Sequence, residues 1–146
     1  MKVSIQSTLF FALAVSAAPL DNFIGSCDAG SVKVSGRTLT ANCKNIVGQS
    51  VCSKLDLNRC IKNSYGQLQP DPTGAGPHYG DQCISCSNAQ PSSGILTGGP
   101  TLLNCQCNPG TGAPQANWPT AIFDLNTVVD NVNGKLECYG IKSTNC

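Results

Sequence analysis

Residues 55–68, LDLNRCIKNSYGQL, recur without a gap as residues 123–136, FDLNTVVDNVNGKL. The two copies share Asp56/Asp124, Leu57/Leu125, Asn58/Asn126, Asn63/Asn131, Gly66/Gly134 and Leu68/Leu136. Leu55/Phe123 and Ile61/Val129 keep apolar character. Six identities in fourteen positions, 68 residues apart, mark an internal repeat, and a repeat sets the architecture before any local reading. The unit reads as strand, helical turn and hairpin. Leu-Asp-Leu alternates like the end of a half-buried strand. Asn58 and Asn126 can cap a short helical turn. Asn63/Asn131 followed by Gly66/Gly134 is turn chemistry, and Asn133-Gly134 is a two-residue hairpin signal.

Outward from the repeat, the cysteines fall into register. Leu39, Ala41 and Cys43 alternate as one face of a strand, and Leu103, Cys105 and Cys107 do so in the second copy. Superposing the copies matches Cys27 with Cys83 and Cys43 with Cys107, which predicts the parallel bridges Cys27–Cys43 and Cys83–Cys107. Cys86 falls opposite Gly30 and Cys105 opposite Ala41. Two small residues exchanged together for two cysteines are expected to be neighbours, so Cys86 is paired with Cys105, nested inside Cys83–Cys107. Cys52, Cys60, Cys138 and Cys146 leave three pairings open. An extended run over residues 52–57 would carry Cys52 farther from Cys60 than the roughly 7 Å a bridge tolerates, which favours Cys60–Cys138 with Cys52–Cys146.

The 146 residues are enough for one domain or two small fused halves. Lys2, the apolar run Leu9 to Val15, and Ser16-Ala17-Ala18-Pro19 read as a secretory signal peptide over residues 1–17, too short to span a membrane. Residues 18–146 then form one domain: repeat one at about 21–70, a Pro- and Gly-rich linker at about 70–77, repeat two at about 78–138, and a tail at 139–146. A secreted, extracellular protein agrees with ten cysteines in five bridges. Removing Lys2 with the leader leaves eight basic and eight acidic residues. That balance argues against nucleic acid and anionic membranes as partners. Few aromatics and abundant Gly, Pro, Ser, Thr and Asn point to an all-β fold with a modest core, supplemented by disulfides. No Asn-x-Ser/Thr sequon is present.

With each copy preceded by a cysteine-closed strand pair, LDLNRCIKNSYGQL and FDLNTVVDNVNGKL resemble the cyanovirin-N homology family over roughly Asp21 to Cys138. The leader and extra cysteines are similar to its secreted fungal members. The resemblance implies two pseudo-symmetric lobes, each a three-stranded sheet plus a β-hairpin exchanged between repeats. It also implies a lectin with a carbohydrate site at each far end, in a monomer or a domain-swapped dimer. One site maps onto Asn22, Ser26, Lys44, Asn45, Ile46, Asn131, Val132 and Asn133. The second maps onto Lys62, Asn63, Ser64, Tyr65, Pro77, His78, Asp81, Asn108, Pro109 and Gly110. Asn and Ser side chains and turn backbone suit hydroxyl-rich ligands, offering donors and acceptors without charge. The first site keeps that character and is expected to carry binding. In the second, Tyr65 stands where an acidic residue is usual, and Pro109 and Gly110 replace polar positions.

Other chemistry is less well supported. Asp56 and Asp124 resemble a glycosidase pair, but their place in a repeated motif favours backbone capping. His78, the one histidine, cannot build a metal cluster or triad with a second. It is read as a solvated loop residue ahead of a site residue. Cys83-x-x-Cys86 and Cys105-x-Cys107 read as bridges ahead of a zinc site. Trp118, beside a strand, is read as packing on the core ahead of stacking on a sugar. Asn131 is expected both to shape its turn and to reach ligand. The expectation is a non-enzymatic lectin without cofactor, binding oligosaccharides or glycoproteins of mannose type or similar. The alternative is a secreted interaction protein, or effector, that keeps the fold and has lost sugar binding.

Overall fold

The computed structural model describes residues 22–88 and 99–146; the expected leader lies outside them. Each repeat builds the predicted unit. In repeat one, β1 (Lys33–Ser35), β2 (Thr38–Lys44) and β3 (Ser50–Asp56) form an antiparallel meander. A 3-10 turn at Leu57–Arg59 leads into the hairpin β4 (Ile61–Ser64) and β5 (Gln67–Pro70). In repeat two, a short helix α1 (Tyr79–Gln82) precedes β6 (Cys83–Asn88), β7 (Leu102–Cys107) and β8 (Thr120–Asp124). A 3-10 turn at Leu125–Thr127 leads into the hairpin β9 (Asp130–Val132) and β10 (Lys135–Cys138). The tail adds β11 (Ile141–Lys142) to β10 and β12 (Thr144–Asn145) to β3.

The hairpins change places. The β9–β10 hairpin of repeat two lies on β2 and β3 of repeat one, where the Leu136 N–H donates to Ser53 Oγ at 2.9 Å. The β4–β5 hairpin of repeat one lies against β8 of repeat two. One detail goes beyond the expected pair of lobes. Ser35 pairs with Ser87, so β1 and β6 join the two meanders into one seven-stranded sheet, ordered β12-β3-β2-β1-β6-β7-β8.

The core follows the alternation of the strands. Leu39, Ala41 and Cys43 on β2, and Leu103, Cys105 and Cys107 on β7, all point inward and are buried. Phe23 and Tyr79 occupy equivalent places and are fully buried. Tyr79 donates its hydroxyl to the Gly36 carbonyl at 3.0 Å, and burial, with the nearby Asp56 charge, raises its pKa. All ten cysteines are bonded, as Cys27–Cys43, Cys83–Cys107 and Cys86–Cys105 within repeats, and Cys60–Cys138 and Cys52–Cys146 between them.

Two local expectations are corrected. The 3-10 turns are capped by Asp56 and Asp124, as expected of the aspartates, and not by Asn58 and Asn126: the aspartate Oδ1 atoms accept from the Asn58 and Asn126 N–H groups at 3.0 Å each. Asn58 and Asn126 reach across the repeats instead. Asn58 Oδ1 accepts from the Gly80 N–H at 2.8 Å, and Asn126 Oδ1 from the Ile24 N–H at 3.4 Å. Trp118 is the second correction. It is half-buried and absent from the core cluster, and its Nε1–H donates to the Ala113 carbonyl at 3.0 Å within its own loop.

Candidate functional site

The repeated hairpins end in matched two-residue turns, Tyr65-Gly66 and Asn133-Gly134. Both residues of each turn have positive φ: 51° and 84° in the first, 53° and 83° in the second. That is the turn whose twist matches antiparallel strands. Each turn is held by the asparagine two positions before its first residue. Asn63 Oδ1 accepts from the Gly66 N–H at 3.0 Å, while its Nδ2 donates to Gln82 Oε1 at 3.0 Å and to the Asn108 carbonyl at 2.8 Å. Asn131 does the same with the Gly134 N–H, Ser26 Oγ and the Lys44 carbonyl, at 2.8, 2.9 and 2.9 Å. Every acceptor of these two Nδ2 groups lies on the other repeat. These bonds bring an exchanged hairpin turn against a loop and build each end of the molecule.

Around Tyr65-Gly66 this leaves a cavity of about 390 Å³, lined by Lys62, Asn63, Ser64, Tyr65, Pro77, Gln82, Asn108 and Gly110. The Gly110 N–H donates to Asn108 Oδ1 at 2.8 Å, which folds the loop at the rim. Lys62 Nζ, Ser64 Oγ, Gln82 Nε2 and Asn108 Nδ2 have no hydrogen-bond partner among the described residues, so four polar groups at one cavity remain free for a ligand. Pro77 is delivered by the linker. Its carbonyl accepts from the Asn63 N–H at 3.1 Å, and the linker is folded by Asp71, buried beneath it. Asp71 accepts from the Gly76 N–H at 2.8 Å and the Thr73 hydroxyl at 2.9 Å. Burial pushes the Asp71 carboxyl up, but those bonds and the Lys62 charge outweigh it and hold it below the usual carboxylate range.

The other end is assembled differently above the same scaffold. Asn133 Oδ1 accepts from the Ile46 N–H at 2.9 Å, and Asn22 forms a bridge with Asp130. Asn45 Oδ1 accepts from the Val47 and Gln49 N–H groups at 3.1 and 2.8 Å, closing the turn between β2 and β3. That turn lifts Ile46 and Val47 into solvent, 87% and 71% exposed. The cavity here is about 230 Å³ and is displaced from the turn residues, being lined by Gly25, Ser26, Cys27, Asp28, Asn42, Lys44 and Ser50.

Of the first predicted set, Ser26, Lys44 and Asn131 meet through hydrogen bonds, as do Ile46 and Asn133, but only Ser26 and Lys44 line the cavity. Of the second set, Lys62, Asn63, Ser64, Tyr65, Pro77, Asn108 and Gly110 share one cavity. His78, Asp81 and Pro109 stand outside its lining. His78 Nδ1 donates to the Asn58 carbonyl at 2.8 Å, and Asp81 pairs with Arg37 at 3.2 Å. Gln82 was missed. It aligns with Ser26 once Cys27 is laid on Cys83, and both side chains accept from the asparagine of the facing turn. Among the described residues, no helix is long and apolar enough to cross a membrane.

Residues 23–137 match the CVNH domain family. A comparison with curated proteins finds no match. Among solved structures, the chain resembles GzCVNH of Gibberella zeae, with a TM-score of 0.62 and 24% identity over 82% of this chain and 99% of that one. It also resembles a MoCVNH3 variant in complex with (N-GlcNAc)4, with a TM-score of 0.61 and 18% identity over 83% and 99% of the two chains. The corresponding values for microvirin in its mannobiose complex are 0.54 and 21%, over 82% and 99%.

Proposed function

The chain belongs to the CVNH domain family, and from that premise we propose that it is a secreted lectin that binds oligosaccharides without turning them over. The observation that carries this reading is the 390 Å³ cavity at the Tyr65-Gly66 turn, with its four unspent polar groups and no carboxylate in its lining. Sugar hydroxyls are paired donors and acceptors, and neutral amides, hydroxyls and one ammonium complement them without imposing charge. The two carboxylates that resemble a glycosidase pair, Asp56 and Asp124, are both engaged in capping. Relatives of the same fold in complex with (N-GlcNAc)4 and with mannobiose support a saccharide as the ligand. Five disulfides and the leader-like first 17 residues support secretion.

A shallow site of this kind binds one saccharide weakly, on the order of tens of micromolar to millimolar, and two working ends would add avidity on multivalent glycans. The test is a glycan array followed by NMR titration of the best ligands, with amide shifts expected around Lys62, Ser64, Gln82 and Asn108. One observation favours the rival reading of an interaction protein: the apolar tip Ile46-Val47 at the other end is unusually exposed for a sugar site. No shifts with any arrayed glycan would decide for that rival.

A further inference from the structure

Tyr65 is held in a conformation that its own side chain does not favour. Its φ of 51° lies in the left-handed region, where Asn and Gly are at ease and a bulky aromatic is an outlier. The same place in the other hairpin is filled by Asn133, at φ 53°. Nor does the fold gain a packed ring in return, because Tyr65 is 84% exposed. Its hydroxyl has no hydrogen-bond partner among the described residues. What the ring does meet is Gly110. A Cβ built there would lie 3.3 Å from Tyr65 Cδ1, so the absence of a side chain at Gly110 lets the ring settle across the loop at the cavity rim. Backbone strain at a cavity, without structural benefit, points to a role in binding.

Resting on the lectin reading above, we propose that Tyr65 is a stacking platform that makes this end selective for all-equatorial pyranoses. An aromatic face attracts a flat array of C–H groups, whose partial positive charge complements the negative face of the ring. A β-linked glucose or N-acetylglucosamine unit has only hydrogens in its axial positions, so both of its faces are smooth. An α-mannoside carries an axial oxygen on each face, O1 on one and O2 on the other, which holds a ring away. Lys62, Ser64, Gln82 and Asn108 would then bond the equatorial hydroxyl and acetamido rim of a stacked sugar. In the other turn, Asn133 at the matching place offers no aromatic face.

The test is NMR titration of tetra-N-acetylchitotetraose and of α-linked mannobiose into the protein and two variants, Tyr65→Phe and Tyr65→Asn. Asparagine accepts the left-handed backbone, as Asn133 shows, so the second variant removes the ring and keeps the turn. In the wild type, ring current should move axial C–H protons of the chitin oligomer upfield. Tyr65→Asn should abolish that shift and weaken chitotetraose binding about three- to tenfold, while Tyr65→Phe stays within about twofold of wild type. Mannobiose affinity should change by less than about twofold in both. Chitotetraose binding unchanged by Tyr65→Asn, or lacking the upfield shift, overturns the stacking role and leaves the lectin reading standing. Failure of the wild type to bind either sugar overturns both.

Discussion

The turns Tyr65-Gly66 and Asn133-Gly134 are built by the same hydrogen bonds and finished with different surfaces. Beneath each, an asparagine holds a glycine N–H and spends both amide protons on the opposite repeat. Above the first lie an aromatic ring, a glycine rim and a cavity of about 390 Å³. Above the second lie an asparagine, an aliphatic tip and a smaller, displaced cavity. Residues that repeat therefore hold the ends together, and residues that do not repeat decide what each end contacts. Asn131 belongs to the first kind. Its expected turn-shaping role is visible, and both of its donors are already occupied within the protein.

The largest effects should come from the covalent links that both ends share. Cys60–Cys138 joins the roots of the two exchanged hairpins across 78 residues of chain. Cys52–Cys146 still closes the chain around it and leaves a loop of roughly 16 residues, so replacing both cysteines with alanine should cost about 3 kcal/mol on the chain-entropy account, read as a fall in the denaturant midpoint. Replacing Cys86 and Cys105 should cost only about 1–2 kcal/mol, because Cys83–Cys107 already closes the same strand pair around them. Equal losses from the two pairs would mean that the ends are not tied together as described.

Next come the two turn glycines. Gly66 has φ 84°, and a Cβ there would meet Pro119 Cγ at 2.9 Å; Gly134 has φ 83°, and its Cβ would meet Val51 Cγ2 at 3.0 Å. Backbone strain and steric contact act together at both positions. Gly66→Ala and Gly134→Ala should each destabilise by roughly 1–3 kcal/mol. If their thermal midpoints differ by more than about 1 kcal/mol when converted, the two turns are not structurally equivalent after all.

How much of this was legible beforehand depended on whether a residue's partner was marked by the repeat. Asn63/Asn131 and Gly66/Gly134 are identical pairs, so the turns stood out. Cys86 and Cys105 replace two small residues together, and that joint change exposed the nested bridge. Capping was expected of the asparagines as well as the aspartates because Asp and Asn serve equally well in that role on local grounds. What separates them is Gly80, 22 residues from Asn58, which no local rule reaches. Gln82 was hidden because an amide and the Ser26 hydroxyl look unlike, although each is an acceptor for the facing asparagine. The joining of β1 to β6 rests on one residue pair and carries no pattern at all. The expectation that the Asn133 end carries binding came from counting polar residues. The proposed site lies at the other end, since several of those groups are bonded internally and the larger of the two cavities lies at Tyr65.

The linker beneath Pro77 offers a pH test specific to the Tyr65 end. The folded protein holds Asp71 below its ordinary range through the Gly76 and Thr73 bonds, against the cost of burial. A depressed folded pKa contributes stability that is fully present above the unfolded value, roughly 3.9, and is lost as pH falls through the folded value. The thermal midpoint should therefore decline on acidification below about pH 4, and Asp71→Asn should flatten that part of the curve. An identical decline in the variant would assign it to other carboxylates.

The smallest expected effect is Asn133→Ala. The substitution removes the acceptor for the Ile46 N–H, a bond at the exposed tip of the first predicted site. Gly134 remains to complete the turn, and Asn131 still holds it from below. An exposed hydrogen bond of this kind contributes about 0.5–1.5 kcal/mol at most. If the Asn133 end carried the binding, losing Asn133 should weaken a saccharide a few-fold to about tenfold. Because the larger cavity and the exposed aromatic ring lie at the Tyr65 end, affinity should instead stay within about twofold of wild type. Beyond the substituted turn itself, only the amides of residues 45–49 should shift in the variant's own spectrum. A tenfold loss on Asn133→Ala, with ligand-induced shifts centred on Ser26 and Lys44, would restore the Asn133 end as the working site. The cavity at Tyr65 would then be no more than the space left by a loop that differs between the repeats.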